Sequence, residues 1–191
     1  GTSSNAFEIW KNYLVEMGFG YKLGIDLPSE SRGFIPNSKF YSKVYGEGRW
    51  SANTVISVAI GQGEILATPL QIANLSATIA NRGYFYTPHV VKKIEGAQLP
   101  KEFTTKRIVD IDKKYYEDIV EGMRMAVTGG TCRNAQFGDI EVCGKTGTSQ
   151  NPHGRDHSAF MGFAPMNNPK IAICVFVENA GFGATFGVPI G

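Results

Sequence analysis

The last third of the chain constrains the fold most. Ile140 to Thr148, Ser158 to Ala164 and Lys170 to Glu178 have the length and composition of strands. The third is nearly unbroken in apolar character, running Ile171-Ala172-Ile173-Cys174-Val175-Phe176-Val177. Pro165-Met166-Asn167-Asn168-Pro169 supplies turn residues between the second and third, so those two are expected to pair as an antiparallel hairpin. The earlier part carries helix signals instead. Asn5 to Met17 places Phe7, Trp10, Leu14 and Met17 at helical spacing, with Asn5 and Glu8 in capping-box positions and Gly18 as the stop. Thr68-Pro69 opens a second helix, with Leu70, Ala73, Leu75, Ala77, Ile79 and Ala80 as its apolar face and Gly83 as its end. Asp112 to Val127 is a third, with Tyr115, Tyr116, Ile119, Val120, Met123, Ala126 and Val127 on the 3.6-residue period and Gly129-Gly130 beyond it. Helices first and a strand meander after predict an α+β fold, an antiparallel sheet packed with helices.

The intervening segments are less regular. Gly18 to Gly48, rich in Gly, Pro, Ser and aromatics, predicts a long ordered loop with little regular structure. Val55 to Ile60 predicts a short buried strand or extended stretch running into Gly61-Gln62-Gly63. Tyr84 to Ile94 and Lys106 to Val109 are expected to be extended, and Gly1 to Ser4 to be an added or fragment-edge tail.

Composition excludes several classes. Hydrophobic residues at 42% and charged residues at 19% of 191 positions allow a sizeable core and argue against disorder. A net charge of +2 gives no electrostatic case for nucleic acid or an anionic membrane. No apolar run reaches the length of a membrane span, so the chain as it stands is expected to be water-soluble. Glycine, 23 of 191, exceeds the usual share of roughly 7% and implies tight turns or close backbone approach. Cys132, Cys143 and Cys174 contain no Cys-x-x-Cys pair. Either a Cys132–Cys143 bridge or three free thiols is compatible with the sequence, and free, mostly buried thiols are the expectation.

The segment with chemical content is Gly144-Lys145-Thr146-Gly147-Thr148. On a strand, Thr146 and Thr148 point one way and Lys145 the other. Two hydroxyls on one face of an edge strand can bind a carboxylate laid alongside. Gly147 leaves room for a ligand backbone, and Lys145 adds a positive charge. Lys-Thr-Gly belongs, with Ser-x-x-Lys and Ser-Asp-Asn, to the signature of penicillin-binding proteins and class A β-lactamases. Further blocks follow the same family in order and spacing: Gly24-Ile25-Asp26-Leu27-Pro28, Ile60-Gly61-Gln62-Gly63, Ala67-Thr68-Pro69-Leu70-Gln71, Ala80-Asn81-Arg82-Gly83 and Ser158-Ala159-Phe160-Met161-Gly162-Phe163-Ala164-Pro165. Over nearly its full length the chain resembles the class B, elongation-type (penicillin-binding protein 2-like) peptidoglycan D,D-transpeptidases.

The resemblance implies a partial penicillin-binding, serine β-lactamase-like fold and a serine acyl transfer that cross-links D-Ala-D-Ala stem peptides. It implies acylation by β-lactams; no cofactor is expected, and no metal, because His153, Asp156 and His157 lie in a loop that is not a helix aligning the two histidines. Lys145 would keep the cleft electropositive and bond to the hydroxyl of a Ser-x-Asn motif. Thr146 and Thr148 would receive the substrate or antibiotic carboxylate, with Gly147 between them, and the Thr148 backbone N–H would form half of an oxyanion hole. The parent would face the periplasm, anchored in the inner membrane by an N-terminal helix, beside a glycosyltransferase partner.

One part of the pattern is missing. No Lys has a Ser three residues before it, so the nucleophile Ser is not in this chain. Ser3-Ser4-Asn5 and Ser51-Ala52-Asn53 match Ser-x-Asn but stand in the wrong place relative to the other blocks. The expectation is therefore one partial transpeptidase domain over 1–191: an edge at 1–6, a helical and loop part at 7–138, and a strand meander at 139–191. Its end at Gly191 falls where the family continues into a helix. Alternatives are a non-catalytic peptidoglycan- or partner-binding homologue, or a D,D-carboxypeptidase or β-lactamase relative. His153, Asp156 and His157 predict a polar loop bordering the site, where Arg155 or His157 could touch substrate. Trp10, Trp50, Tyr84, Phe85 and Tyr86 predict core or loop anchors, and His89 a structural role. Glu178 to Gly183 lacks the strand–loop–helix setting of a phosphate loop.

Overall fold

A computed structural model describes residues 3–191, and the expected tail residues Gly1 and Thr2 lie outside them. The chain forms two compact units, Gly1–Thr68 with Thr87–Phe103, and Pro69–Tyr86 with Thr104–Gly191.

The first unit holds α1 (Ser3–Glu16), α2 (Ser38–Tyr45) and α3 (Ala52–Ala59). Phe7, Tyr41 and Val58, all buried, form its core with Trp10, Phe40, Trp50, Val55 and Ile65 around them. The aromatic rings meet edge-on: Phe7 lies 5.4 Å from Tyr41 and 5.6 Å from Trp50, centroid to centroid. Trp50 Nε1 also donates to Ser42 Oγ at 3.2 Å. Both tryptophans are therefore core anchors, as expected.

Four local expectations are corrected here. α1 begins at Ser3, so Asn5 lies inside the helix, no capping box forms, and Ser3 and Ser4 belong to the helix. Glu8 instead accepts the Ser38 backbone N–H at 2.6 Å and pairs with Lys11 at 2.7 Å. It thus satisfies a free N–H in the first turn of α2, while Asn37 Oδ1 takes the N–H of Phe40 at 2.8 Å. The presumed loop from Gly18 to Gly48 consequently contains a capped helix. Val55 to Ala59 is helical, not a strand, and Ile60 caps the end of that helix. Val55 and Val58, three residues apart, face the core, while Ile56 and Ile60 are exposed. Burial of one helical stripe outweighs β-branched propensity.

Two carboxylates shape the loops of this unit. Glu30 accepts the N–H groups of Leu23, Gly24 and Ile25 at 2.6, 3.0 and 3.3 Å. Asp26 accepts those of Val90 and Val91, each at 2.9 Å. Hydrogen bonds from Val90 and Val91 hold the Asp26 carboxyl below the usual range. His89 Nδ1 lies 2.8 Å from Thr87 O, and its ring is 4.7 Å from Phe103, a structural placement.

The short α5 (Lys101–Thr104) leads the chain back into the second unit. There β1 (Tyr84–Phe85) pairs antiparallel with β2 (Arg107–Ile108), far shorter pieces than the extended segments expected. β3 (Cys143–Ser149), β4 (His157–Ala164) and β5 (Ile171–Val177) form an antiparallel meander in that order, with β3 at an edge. The α+β architecture thus stands as expected. α4 (Pro69–Ala80) and α6 (Lys113–Thr128) cover one face, through Ile79, Ala80, Tyr116, Val120, Met123, Cys143 and Phe163. The buried face of α4 differs from the expected one. Gln71, Asn74, Ser76 and Thr78 are buried there, while Leu70 is 36% exposed. Ser76 Oγ donates to Gly162 O at 2.6 Å, so a small polar side chain brings the helix against the sheet backbone.

The opposite face carries Phe160, Val127, Cys132 and Val188, the last in α7 (Gly187–Ile190). Phe160 lies over the cross-strand glycine pair Gly144 and Gly162. A Cβ at Gly144 would stand 2.5 Å from its ring, and one at Gly162 2.9 Å. That accounts for two glycines by packing. The three cysteines are free, Cys132 and Cys143 buried and Cys174 half-buried.

Two predictions follow from this packing. Gly144→Ala should lower stability by about 1–3 kcal/mol, the scale of overpacking a filled core, as measured by urea denaturation. Burial works against the charged form of Glu8, but hydrogen bonds from Lys11 and Ser38 outweigh it and hold its pKa at about 2 against an ordinary 4.5. Its folded value is depressed, so its contribution is present above pH 4.5 and lost as pH falls toward about 2. Glu8→Gln should therefore lower the melting temperature at pH 7 and have progressively less effect below pH 4.5, read by circular dichroism.

Candidate active site

β3 presents Lys145, Thr146, Gly147 and Thr148 on the free edge of the three-stranded sheet. Its register sets the faces. Lys145 stands opposite Met161, on the side toward α6, whereas Thr146 and Thr148 stand opposite Phe160 and Ser158, on the other. The Thr146 backbone N–H turns outward toward the Cys132 sulfur, and its carbonyl accepts Lys145 Nζ at 2.8 Å. In an antiparallel ladder outward and inward residues alternate, so Thr148 shares this phase. Its N–H and C=O are directed away from β4, at an exposed position.

Gly147 has the opposite phase and is paired with Ala159. A Cβ there would meet only the Ala159 Cβ, at 3.3 Å, so internal packing leaves that side of the strand open. Behind the strand the situation reverses. Gly183 packs its backbone directly on the Gly147 and Ala159 carbonyls, where no side chain fits. Buried Ser158 pins this crossing: its Oγ donates to Phe182 O at 3.0 Å and accepts the Gly187 N–H at 2.9 Å. Gly183 and Ser158 were not legible as site supports, because their role depends on a crossing that has no sequence signature.

The loop from 150 to 156 is stitched to the exit of β5. Asn151 Nδ2 donates to Asn179 Oδ1 at 2.6 Å, the Gly181 N–H to Asp156 O at 2.7 Å, and the Asn179 N–H to His157 Nδ1 at 3.0 Å. His157 and Asp156 are therefore occupied in holding the loop, whereas Arg155 is exposed. Among the described residues no cluster of three His, Cys, Asp or Glu side chains could hold a metal.

Sequence reasoning also missed the turn after α6, where it saw only a Gly-Gly stop. Thr131 Oγ1 lies 3.0 Å from Thr146 Oγ1. Burial pushes the neighbouring Cys132 thiol above its ordinary pKa, opposed by hydrogen bonds from Thr131 and Thr146 and by the Lys145 charge. Burial likewise raises Cys143, to about 11. The Ala80-Asn81-Arg82-Gly83 block is a helix-ending connector. Arg82, at a φ of 56°, donates to Ala80 O at 2.7 Å and pairs with Glu117 at 3.2 Å.

An edge strand bearing two hydroxyls, a cation and an outward N–H beside a glycine can receive an extended ligand that carries a carboxylate. The family comparison agrees: the penicillin binding protein transpeptidase domain matches residues 5–189, and the chain belongs to that family. It is 36% identical over 194 aligned positions to the peptidoglycan D,D-transpeptidase MrdA of Acinetobacter baumannii, covering 91% of this chain and 28% of that protein. The MrdA of Haemophilus influenzae is 35% identical, with 94% and 31% covered. The chain thus spans about three tenths of the length of these curated relatives. Among solved structures, Pseudomonas aeruginosa PBP2 in complex with WCK 5153 superposes with a TM-score of 0.85 at 31% identity, over 96% of this chain and 40% of that one. Helicobacter pylori PBP2, solved with MreC, gives 0.81 at 32% identity, over 96% and 34%.

Removing the hydroxyl that pins Gly183 should be costly. Ser158→Ala leaves the buried Gly187 N–H without its partner, while Phe182 O keeps the Thr185 N–H, and should destabilise the chain by about 1–3 kcal/mol. Hydrogen exchange should show the loss first at the Gly187 amide.

Proposed function

We propose that this chain is the C-terminal portion of a bacterial cell-wall D,D-transpeptidase, part of one transpeptidase domain completed by residues outside the 191. In this reading a serine supplied by the rest of the protein attacks the carbonyl of the penultimate D-Ala of a stem peptide. Terminal D-Ala leaves, and the amine of a second stem displaces the serine to form the cross-link. β-Lactams mimic the dipeptide and acylate the same serine. Lys145 keeps the cleft electropositive and bonds to the Ser-x-Asn hydroxyl. Thr146 and Thr148 hold the carboxylate, Gly147 admits the ligand backbone, and the Thr148 N–H donates to the oxyanion.

The observation that carries this reading is the outward phase of Thr148 on an edge strand whose neighbour Gly147 is open. A free N–H at an edge is available to a reacting carbonyl, and fixed backbone donors cost no reorganisation during reaction. No helix among the described residues is long and apolar enough to cross a membrane. The whole protein is proposed to face the periplasm on an inner-membrane anchor and to work with a membrane glycosyltransferase. The absence of Ser-x-x-Lys from these residues also admits a second reading, a non-catalytic homologue that binds peptidoglycan stems or a partner.

Fluorescent penicillin separates the two. The full-length gene product should carry a stoichiometric label that survives denaturation, and the 191-residue chain alone should carry none. An unlabelled full-length protein selects the binding homologue, and a labelled isolated chain refutes the assignment of the nucleophile elsewhere. Lys145→Ala in the full-length protein should slow labelling roughly a hundredfold or more, the scale of losing one preorganised electrostatic group.

A further inference from the structure

Thr131 stands in the turn that ends α6, and that turn is fixed from both sides. Gly129 N–H donates to Met125 O at 3.0 Å and Cys132 N–H to Ala126 O at 2.9 Å. A Cβ at Gly130 would stand 2.8 Å from Ala126 Cα, so the turn requires glycine there. Cys132 is fully buried in the cluster with Phe160 and Val188. Gln136 Nε2 donates to the helix-end carbonyl of Val127 at 3.1 Å. These contacts deliver the Thr131 hydroxyl to the edge of β3, at 3.0 Å from that of Thr146. Thr131 itself is exposed, so core packing does not demand a threonine.

We infer that Thr131 is a positioning residue for the Thr146 hydroxyl, setting its proton toward a bound carboxylate; the inference rests on the carboxylate-binding reading of this strand. A threonine hydroxyl has one proton and two lone pairs. If Thr146 donates to Thr131, its proton is consumed, and an ionised carboxylate, which only accepts, meets a lone pair. If Thr131 donates to Thr146 rather than to the Cys132 sulfur beside it, a weak acceptor, the Thr146 proton is directed to the ligand. A carboxylate selects the second arrangement, and the donated bond polarises Thr146 and strengthens its own.

The test is the second-order acylation constant of the full-length protein toward a penicillin and toward its methyl ester. Thr131→Val should lower the constant for the acid about fivefold, the scale of one neutral hydrogen bond, and leave the ester within about twofold. Thr131→Ser should restore the acid to within about twofold of wild type, because it keeps the donor. Thr146→Val should lose at least as much toward the acid, with no additional loss in the double variant. Thr131→Ala, run alongside, replaces Thr131→Val as the hydroxyl deletion if the latter does not fold. Equal losses toward acid and ester would mark a merely structural role and overturn the inference. So would full activity of Thr131→Val and Thr131→Ala toward the acid while Thr146→Val loses it. If Thr146→Val itself leaves the acid-to-ester ratio unchanged, the carboxylate reading fails first, and the inference falls with it.

Discussion

The packing of Phe160 across Gly144 and Gly162 is the contact on which the second unit depends. The ring occupies the space that two side chains would fill, and it is 1% exposed. It therefore holds the edge strand flush against β4 at the residue before Lys145. Register then fixes everything downstream: which face carries the hydroxyls, which N–H groups leave the sheet, and where the Gly183 crossing can sit. A slip of one residue would exchange the faces of Lys145 and Thr146 and turn Thr148 N–H into the ladder.

Carboxylates play the corresponding part in the first unit. Glu30 gathers three successive backbone N–H groups, Asp26 two, and Glu8 one at the start of α2. Charged acceptors satisfy backbone groups that a loop leaves unpaired, and their bonds are stronger than neutral ones. Asp26 gives the Gly-Ile-Asp-Leu-Pro block a structural meaning, because its carboxylate ties that loop to Val90 and Val91. The Arg82 connector does the same in the second unit, against Glu117 and the Met166 carbonyl. Several blocks by which the family is recognised thus shape backbone, whereas the candidate site residues of this chain lie together on one strand.

Local signals were legible where one rule dominated. Pro69 as the first helical residue, the period from Tyr116 to Val127 and the alternation along β3 and β4 appear in the fold as expected. They failed where tertiary contacts decided between close alternatives. Val55 to Ile60 is as apolar as a strand, but the core with Phe7 and Tyr41 accepts only the stripe of Val55 and Val58. Asn5 and Glu8 have capping-box spacing, yet Glu8 finds a better partner thirty residues away in the Ser38 N–H. The apolar face expected for α4 missed Gln71, Asn74, Ser76 and Thr78, because nothing local shows that Ser76 meets a sheet carbonyl.

The sequence by itself determined the class of fold, the family and the strand that bears the candidate chemistry, since these rest on residue order and side-chain alternation. The missing Ser-x-x-Lys was equally plain from residue order alone. Tertiary structure alone decided which N–H groups point off the sheet, that Gly147 is open in front and covered behind, and that Thr131 reaches Thr146. Hydrogen-bond phase and long-range approach depend on the pairing partner and on a turn fifteen residues away, and neither is encoded within the motif itself.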